Sequence, residues 1–151
     1  MASPIQISEA ASIAIHTALL LAREPKKLWS NQEISQTFGF SQAHAAKVFQ
    51  ALARAGIIAS VRGPRGGSRL ARPASELTLL DVYEAVEGPL ETRKCLLSTD
   101  ICRGDHCSLG REIYQANAAI RKLLQETVLA KVPLRETFGH TSAPKTQKKR
   151  K

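Results

Sequence analysis

The stretch Ser60-Val61-Arg62-Gly63-Pro64-Arg65-Gly66-Gly67-Ser68-Arg69 packs three arginines and two glycine-bearing turn signals into ten residues. Glycine gives a hairpin tip access to positive φ, and Pro64 stiffens the turn. Arg62, Arg65 and Arg69 supply guanidiniums that can fork onto phosphate or guanine edges, with Ser60, Gly66 and Gly67 flanking them as further contact candidates. The pattern is that of the cationic wing of a winged helix. An ordinary solvated hairpin has the same local composition, so the preceding residues have to decide between the two.

They favour the wing. Ser30-Asn31-Gln32-Glu33 is a capping box, in which a hydroxyl and a carboxylate satisfy each other's orphan backbone groups, and it starts a short helix that ends near Phe38-Gly39. A second helix begins with Ser41 as its cap and carries an apolar stripe at Ala45, Val48, Phe49, Leu52 and Ala55 up to Gly56. Two short helices with a tight turn predict a helix-turn-helix. The outward, amino-terminal side of the second would read the major groove through Ser41, Gln42, Ala43, His44 and Lys47. Ile57 to Val61 is expected as the first wing strand.

Beyond the wing, Thr78-Leu79-Leu80-Asp81 is a second capping box, opening a helix to about Glu87 with Leu79, Val82 and Val86 on its buried side. Gly88-Pro89 breaks it. From Ser108 to Lys131 runs an amphipathic stretch with Ile113, Ala116, Ile120, Leu123, Leu124 and Val128 at three-to-four spacing, and Pro133 follows. A small winged helix has little core with which to cover so long a face, which predicts a homodimer through these residues.

Charge is distributed unevenly along the chain, whose formal net charge is +9. Residues 1–75 hold nine Lys/Arg against three Asp/Glu, residues 76–140 hold eight against ten, and residues 141–151 hold five and no acid. The basic excess therefore sits on the proposed DNA-binding half and on a tail without apolar period, expected to be disordered. Leu19-Leu20-Leu21 ends a helix far below membrane-spanning length, and no signal-peptide pattern precedes it, so a cytoplasmic protein without membrane association is expected. With 5% aromatic residues the core should be small and aliphatic. Gly-rich phosphate loops, nucleophile elbows and metal-hydrolase patterns are absent, so neither an enzyme nor a small-molecule substrate is expected.

All three cysteines fall in one polar loop: Cys95, six residues, Cys102, four residues, Cys107. In a reducing compartment a structural disulfide is disfavoured, which leaves metal ligation, reversible thiol oxidation or unremarkable thiols. Burial explains them poorly, because Lys94, Ser98, Thr99, Asp100, Arg103, Asp105 and His106 surround them. Arg93, Lys94 and Arg103 would favour the thiolate that both a metal and an oxidant require.

The run Phe40 to Leu70, and within it Leu52-Ala-Arg-Ala-Gly-Ile-Ile-Ala-Ser-Val-Arg-Gly-Pro-Arg-Gly-Gly67, strongly resembles the Rrf2 family of bacterial regulators, which are winged-helix dimers. Nearly the whole chain follows the family's pattern, from Ala14–Ala22 on the first helix to the long last helix. Ser68 departs from it, standing where the family usually has tyrosine, and so does the lysine-rich carboxy-terminus. The resemblance implies that Cys95, Cys102 and Cys107 hold an iron–sulfur cluster of two or four irons, with a zinc site, a thiol switch and no cofactor as the alternatives. It leaves the fourth ligand open. Some members use a histidine three residues after the last cysteine, where Gly110 stands here; others use an acidic residue on the partner's first helix, where Ser12 stands. His16, one turn further along, occupies a position that ligates in one branch of the family, and His106 and Asp105 compete from within the loop.

Together these readings predict a mainly α chain with a small β-hairpin wing, a winged helix-turn-helix plus a long carboxy-terminal dimerisation helix. Residues 1–88 form the DNA-binding domain, 89–107 the sensor loop, 108–134 the dimerisation helix and 141–151 the tail. The expected protein is a dimeric transcription regulator, a repressor, whose affinity for an inverted-repeat operator in double-stranded DNA follows the state of the cluster. A thiol-redox or cofactor-free regulator, or a winged-helix protein-interaction module, is the alternative.

Overall fold

A computed structural model describes residues 7–63, 65–91 and 109–133. Helix α1 (Glu9–Arg23) is the axis on which the other elements assemble, with Ala11, Ile13, Ala14, Ala18, Leu20 and Leu21 all buried. The alanines let neighbouring helices approach, and the larger side chains fill the space between them. Around it pack α3 (Gln42–Arg54) and α4 (Leu79–Glu87). Ile13, Leu21, Ile34, Leu52, Ile57, Leu77, Val82 and Leu129 are essentially sealed from solvent. Burying each such side chain contributes about 1.5–3 kcal/mol before entropy is subtracted.

Both expected capping boxes are present. Ser30 Oγ accepts from Glu33 N and Glu33 Oε2 accepts from Ser30 N at the start of α2 (Asn31–Phe38). Thr78 and Asp81 repeat the arrangement at α4. Helix α3 ends in a double closure, Gly56 N donating to Ala53 O and Ile57 N to Leu52 O, with Gly56 at φ 68°. That closure uses Ile57, so the first wing strand begins one residue later than expected: β1 is Ile58–Val61. Ala55 is the C-cap of α3 and exposed, outside the buried stripe assigned to it.

Strand β1 pairs antiparallel with β2 (Gly67–Leu70), Ile58 opposite Leu70 and Val61 opposite Gly67. The other edge of β2 is covered: Trp29 N donates to Ser68 O at 3.0 Å and Ser68 N to Trp29 O at 2.7 Å. A short segment ahead of the helix-turn-helix thus acts as a third partner and blunts the wing's free edge. It also corrects the reading of the paired glycines. Positive φ falls on Gly63, whereas Gly66 and Gly67 are required by space: a Cβ on Gly66 would collide with Val61 O, and one on Gly67 would lie 2.8 Å from the Trp29 backbone.

The last helix, α5 (Gly110–Glu126), is shorter than the stretch 108–134 assigned to it, and Val128 is not on it. Thr127 stops it, its N–H and hydroxyl both donating to Leu123 O. The chain then turns back to the domain: Leu79 N donates to Thr127 O and Leu129 N to Leu77 O, each at 2.9 Å, bridging Val128 to Thr78. Leu129 enters the core at 2% exposure, a position a continuing helix would have carried away from Leu77. Pro64, the cysteine loop from residue 92 to 108 and the chain from 134, including the basic tail, lie outside the described residues.

Candidate nucleic-acid interface

Helix α3 divides cleanly by face. Ala45, Val48, Phe49 and Leu52 are buried, while Ser41, Gln42, Ala43, His44 and Lys47 are exposed along its first turns. Its amino-terminus differs from those of α1, α2 and α4. Each of those has a hydroxyl cap, from Ser8, Ser30 or Thr78, and an acid in the first turn. Ser41 is at the N-cap position but makes no side-chain cap bond, and no acid lies in the first turn of α3. The positive end of that helix is therefore neither capped by a side chain nor neutralised from within.

Strand β1 of the wing packs against α3. Arg62 and Arg65 at the hairpin turn and Arg69 on β2 are exposed, as is Ser60. Among the described residues neither these three arginines nor Lys47 forms a salt bridge. Ser68 is buried at 2% exposure, its hydroxyl sharing a hydrogen bond of 3.2 Å with Ser60. The residue that departs from the family pattern thus faces inward, tying the two wing strands together. Three contacts of this surface carry no sequence signature. Lys27 Nζ lies 3.3 Å from the Trp29 ring centroid and 3.8 Å from Glu33. Glu9, on the first turn of α1, brings Oε2 to 3.1 Å from Nδ1 of His44 on α3. No periodicity relates residues so far apart along the chain, and only the crossing of α1 and α3 brings them together.

His16 is half-buried. Its Nδ1–H donates to Ser12 O at 2.7 Å, and its ring meets Phe38 and Phe40 edge-on at 5.4 and 6.2 Å, those two rings being stacked on each other across Gly39. The hydrogen bond sets the tautomer in which Nε2 bears the lone pair of the neutral ring. Cys95, Cys102, Cys107, Asp105 and His106 lie outside the described residues. Among the described residues no three His, Cys, Asp or Glu side chains stand close enough to hold a metal ion.

The root of the cysteine loop is anchored. Leu90 N donates to Glu84 Oε1 at 2.9 Å, and Arg121 Nη1 donates to the same oxygen and to Leu90 O, each at 2.8 Å. The backbone N–H of Leu90, supported by the Arg121 guanidinium and opposed by partial burial, holds the Glu84 carboxyl below its ordinary pKa. The same contacts give α5 its inner face, since Arg121 reaches α4 from it. Ile113, Ile120 and Leu124 share the half-buried side, whereas Leu109, Ala116 and Leu123, seven residues apart, remain exposed. The apolar stripe is wider than the surface its own domain covers.

The model of the Rrf2 family, described as iron-dependent transcriptional regulator, matches residues 7–133. Over 122 residues, 80% of this chain and 75% of the relative, the sequence is 35% identical to protein aau3 of Rhizobium meliloti. Among solved structures, CymR, the global cysteine regulator of B. subtilis, superposes with a TM-score of 0.69 at 24% identity, covering 83% of this chain and 93% of that one. T. potens IscR does so with a TM-score of 0.66 at 22% identity, covering 84% and 85%. At such identities the likeness to the two solved structures is one of fold.

Proposed function

Because this chain belongs to the Rrf2 family of transcriptional regulators, we propose that it is a homodimeric repressor that binds inverted-repeat DNA and responds to an iron–sulfur cluster. The observation that carries the DNA-binding part is the shared exposure of the uncapped α3 amino-terminus and of wing arginines that form no salt bridge among the described residues. Side chains on the first turns of α3, Gln42, Ala43, His44 and Lys47, read base edges. Arg62, Arg65 and Arg69 contact phosphate or the adjoining groove, with Ser60, Gly66 and Gly67 shaping the hairpin that delivers them. Two copies join through the exposed part of the α5 stripe, Leu109, Ala116 and Leu123 with Ile113 and Ile120 beside them. This 4-3-4-3 spacing is that of a helix seam, and it sets the distance between two recognition helices.

Cys95, Cys102 and Cys107 supply three thiolates for the cluster, and His16 of the partner subunit is the fourth donor. The chemistry of that set fits an iron–sulfur centre: soft thiolates in a cationic sequence context, plus an imidazole whose other nitrogen is already committed to a backbone carbonyl. Once bound, the centre supplies iron- and redox-dependent chemistry. The protein's own part is mechanical. Glu84 and Arg121 fix the loop's first residues to α4 and α5, and His16 packs against the aromatic pair that flanks the helix-turn-helix turn, so loop order can bias the recognition helices. A thiol switch at the same cysteines is the second reading, favoured by Arg93, Lys94 and Arg103 beside them.

Anaerobic purification with iron and sulfide quantitation and an absorption spectrum tests the cluster. Coloured protein that loses its colour and its iron in each of the single Cys95, Cys102 and Cys107 to serine variants supports it. Colourless protein whose DNA affinity ignores iron but follows thiol oxidation selects the second reading. His16→Ala retaining full iron, sulfide and spectrum, with His106→Ala or Asp105→Ala losing them, overturns the cross-subunit ligand.

A further inference from the structure

Glu9 is an acidic side chain at the edge of a surface read as DNA-binding, where simple electrostatics would disfavour it. A carboxylate near phosphates repels them, and its removal should strengthen binding to any duplex. Its geometry points to a different role. Glu9 Oε2 lies 3.1 Å from His44 Nδ1, and both side chains are about half exposed, at 59% and 50%. A carboxylate oxygen can only accept, so the contact places a proton on Nδ1 and turns that edge of the ring toward α1. Nε2, across the ring, is then the nitrogen presented away from the domain. Without Glu9 the imidazole on the first turns of α3 is free to rotate about χ1 and χ2 and to exchange tautomers, so that either nitrogen, as donor or acceptor, could meet a base.

We propose that Glu9 is a specificity-determining positioning residue: its carboxylate fixes the rotamer and tautomer of His44 so that Nε2 reads one base pair in each half-site. The assignment rests on the DNA-binding reading above and extends it to a residue outside the helix-turn-helix and the wing. As an exposed surface contact it contributes little to folding. Its effect is on the shape of the donor and acceptor pattern entering the groove, where one ordered base-edge contact separates the right base from the wrong ones by about fivefold or more.

The test is selection of duplexes from a library with a randomised central segment, sequenced after binding to wild type, Glu9→Gln, His44→Ala and the double variant. The expected result is that E9Q and H44A relax preference at the same base pair of each half-site, by about fivefold, with other positions unchanged. The double variant should be no more relaxed there than H44A alone. Thermal unfolding of E9Q close to wild type would show that the change is not one of stability. E9Q binding more tightly with an unaltered base preference makes Glu9 a mere repulsive charge and overturns the proposal. So does relaxation by E9Q at positions that H44A leaves intact. A wild type that enriches no sequence overturns the DNA-binding reading and this inference with it, whereas an enriched motif untouched by E9Q overturns this inference alone.

Discussion

Helices α1 and α5 are both apolar along one face, yet their burial is very different. Of the 15 residues of α1, eight are buried; of the 17 in α5, only Gly110 is. Helix α1 has helices on several sides and spends its apolar residues inside its own chain. Helix α5 leans on α4 through Arg121 and its half-buried neighbours and leaves Leu123 at 65% exposure. An isolated helix of that length is marginal in water, and an exposed apolar stripe is unfavourable, which is the physical ground for the dimer seam proposed above. On the dimer proposed above, the difference separates the part of the sequence that specifies the fold from the part that would specify assembly.

Substitutions of similar size on the two helices should therefore act on different quantities. Leu21→Ala, at 1% exposure, removes atoms from the core and should cost about 2–5 kcal/mol in urea unfolding of the domain. Leu123→Glu should barely alter secondary structure but place a charge in the seam, weakening the dimer by about 3 kcal/mol or more. Light scattering at micromolar concentration reads it as the mass of one protomer; a wild type that is already monomeric and well folded removes the seam altogether. Leu124→Lys is the less clean probe, because Leu124 lies on the half-buried side of α5 and a charge there disturbs the chain's own packing.

Smaller effects sharpen the same division between residues serving the fold and residues reserved for a partner. Alanine at Arg62 or Arg65 should leave unfolding unchanged. It should cost about 1–3 kcal/mol in operator affinity if the guanidinium reads a base, or chiefly flatten the salt dependence if it meets phosphate. Unchanged affinity in the triple Arg62, Arg65, Arg69 to alanine variant would remove the wing from the interface. Smallest are the caps: Ser30→Ala should cost about 1 kcal/mol of stability, whereas Ser41→Ala, which loses no cap bond, should cost a few tenths at most. Glu33 adds a pH signature. Bonds from the Ser30 backbone and hydroxyl hold its carboxyl below the ordinary value of 4.5. Its contribution is complete above that value and lost as pH falls through the lower folded one, so Glu33→Gln should destabilise at neutral pH and approach wild type in acid.

Much of the interface was legible because it is written in local chemistry. Capping boxes at Ser30 and Thr78, the stripe from Ala45 to Leu52 and the arginine-bearing hairpin each depend on residues within a few positions of one another. The stop of α5 was not legible. Val128 continues the three-to-four spacing beyond Glu126, and nothing nearby signals that Thr127 and Leu129 instead meet Leu79 and Leu77. The paired glycines were legible as a turn but for the wrong reason, since the steric demand on Gly67 comes from Trp29.

By itself the sequence determined the capping boxes at Ser30 and Thr78, the helices they open, the hairpin and the basic character of the amino-terminal half, because propensity, periodicity and charge act over one or two turns of chain. Tertiary structure alone decided that Trp29 closes the wing's edge, that Glu84 and Arg121 hold the root of the cysteine loop and that Glu9 meets His44. Each of those contacts joins groups from separate elements. A carboxylate on one helix finds an imidazole or guanidinium on another only after burial of the apolar faces has fixed how those helices cross, and no pattern along the chain encodes that crossing in advance.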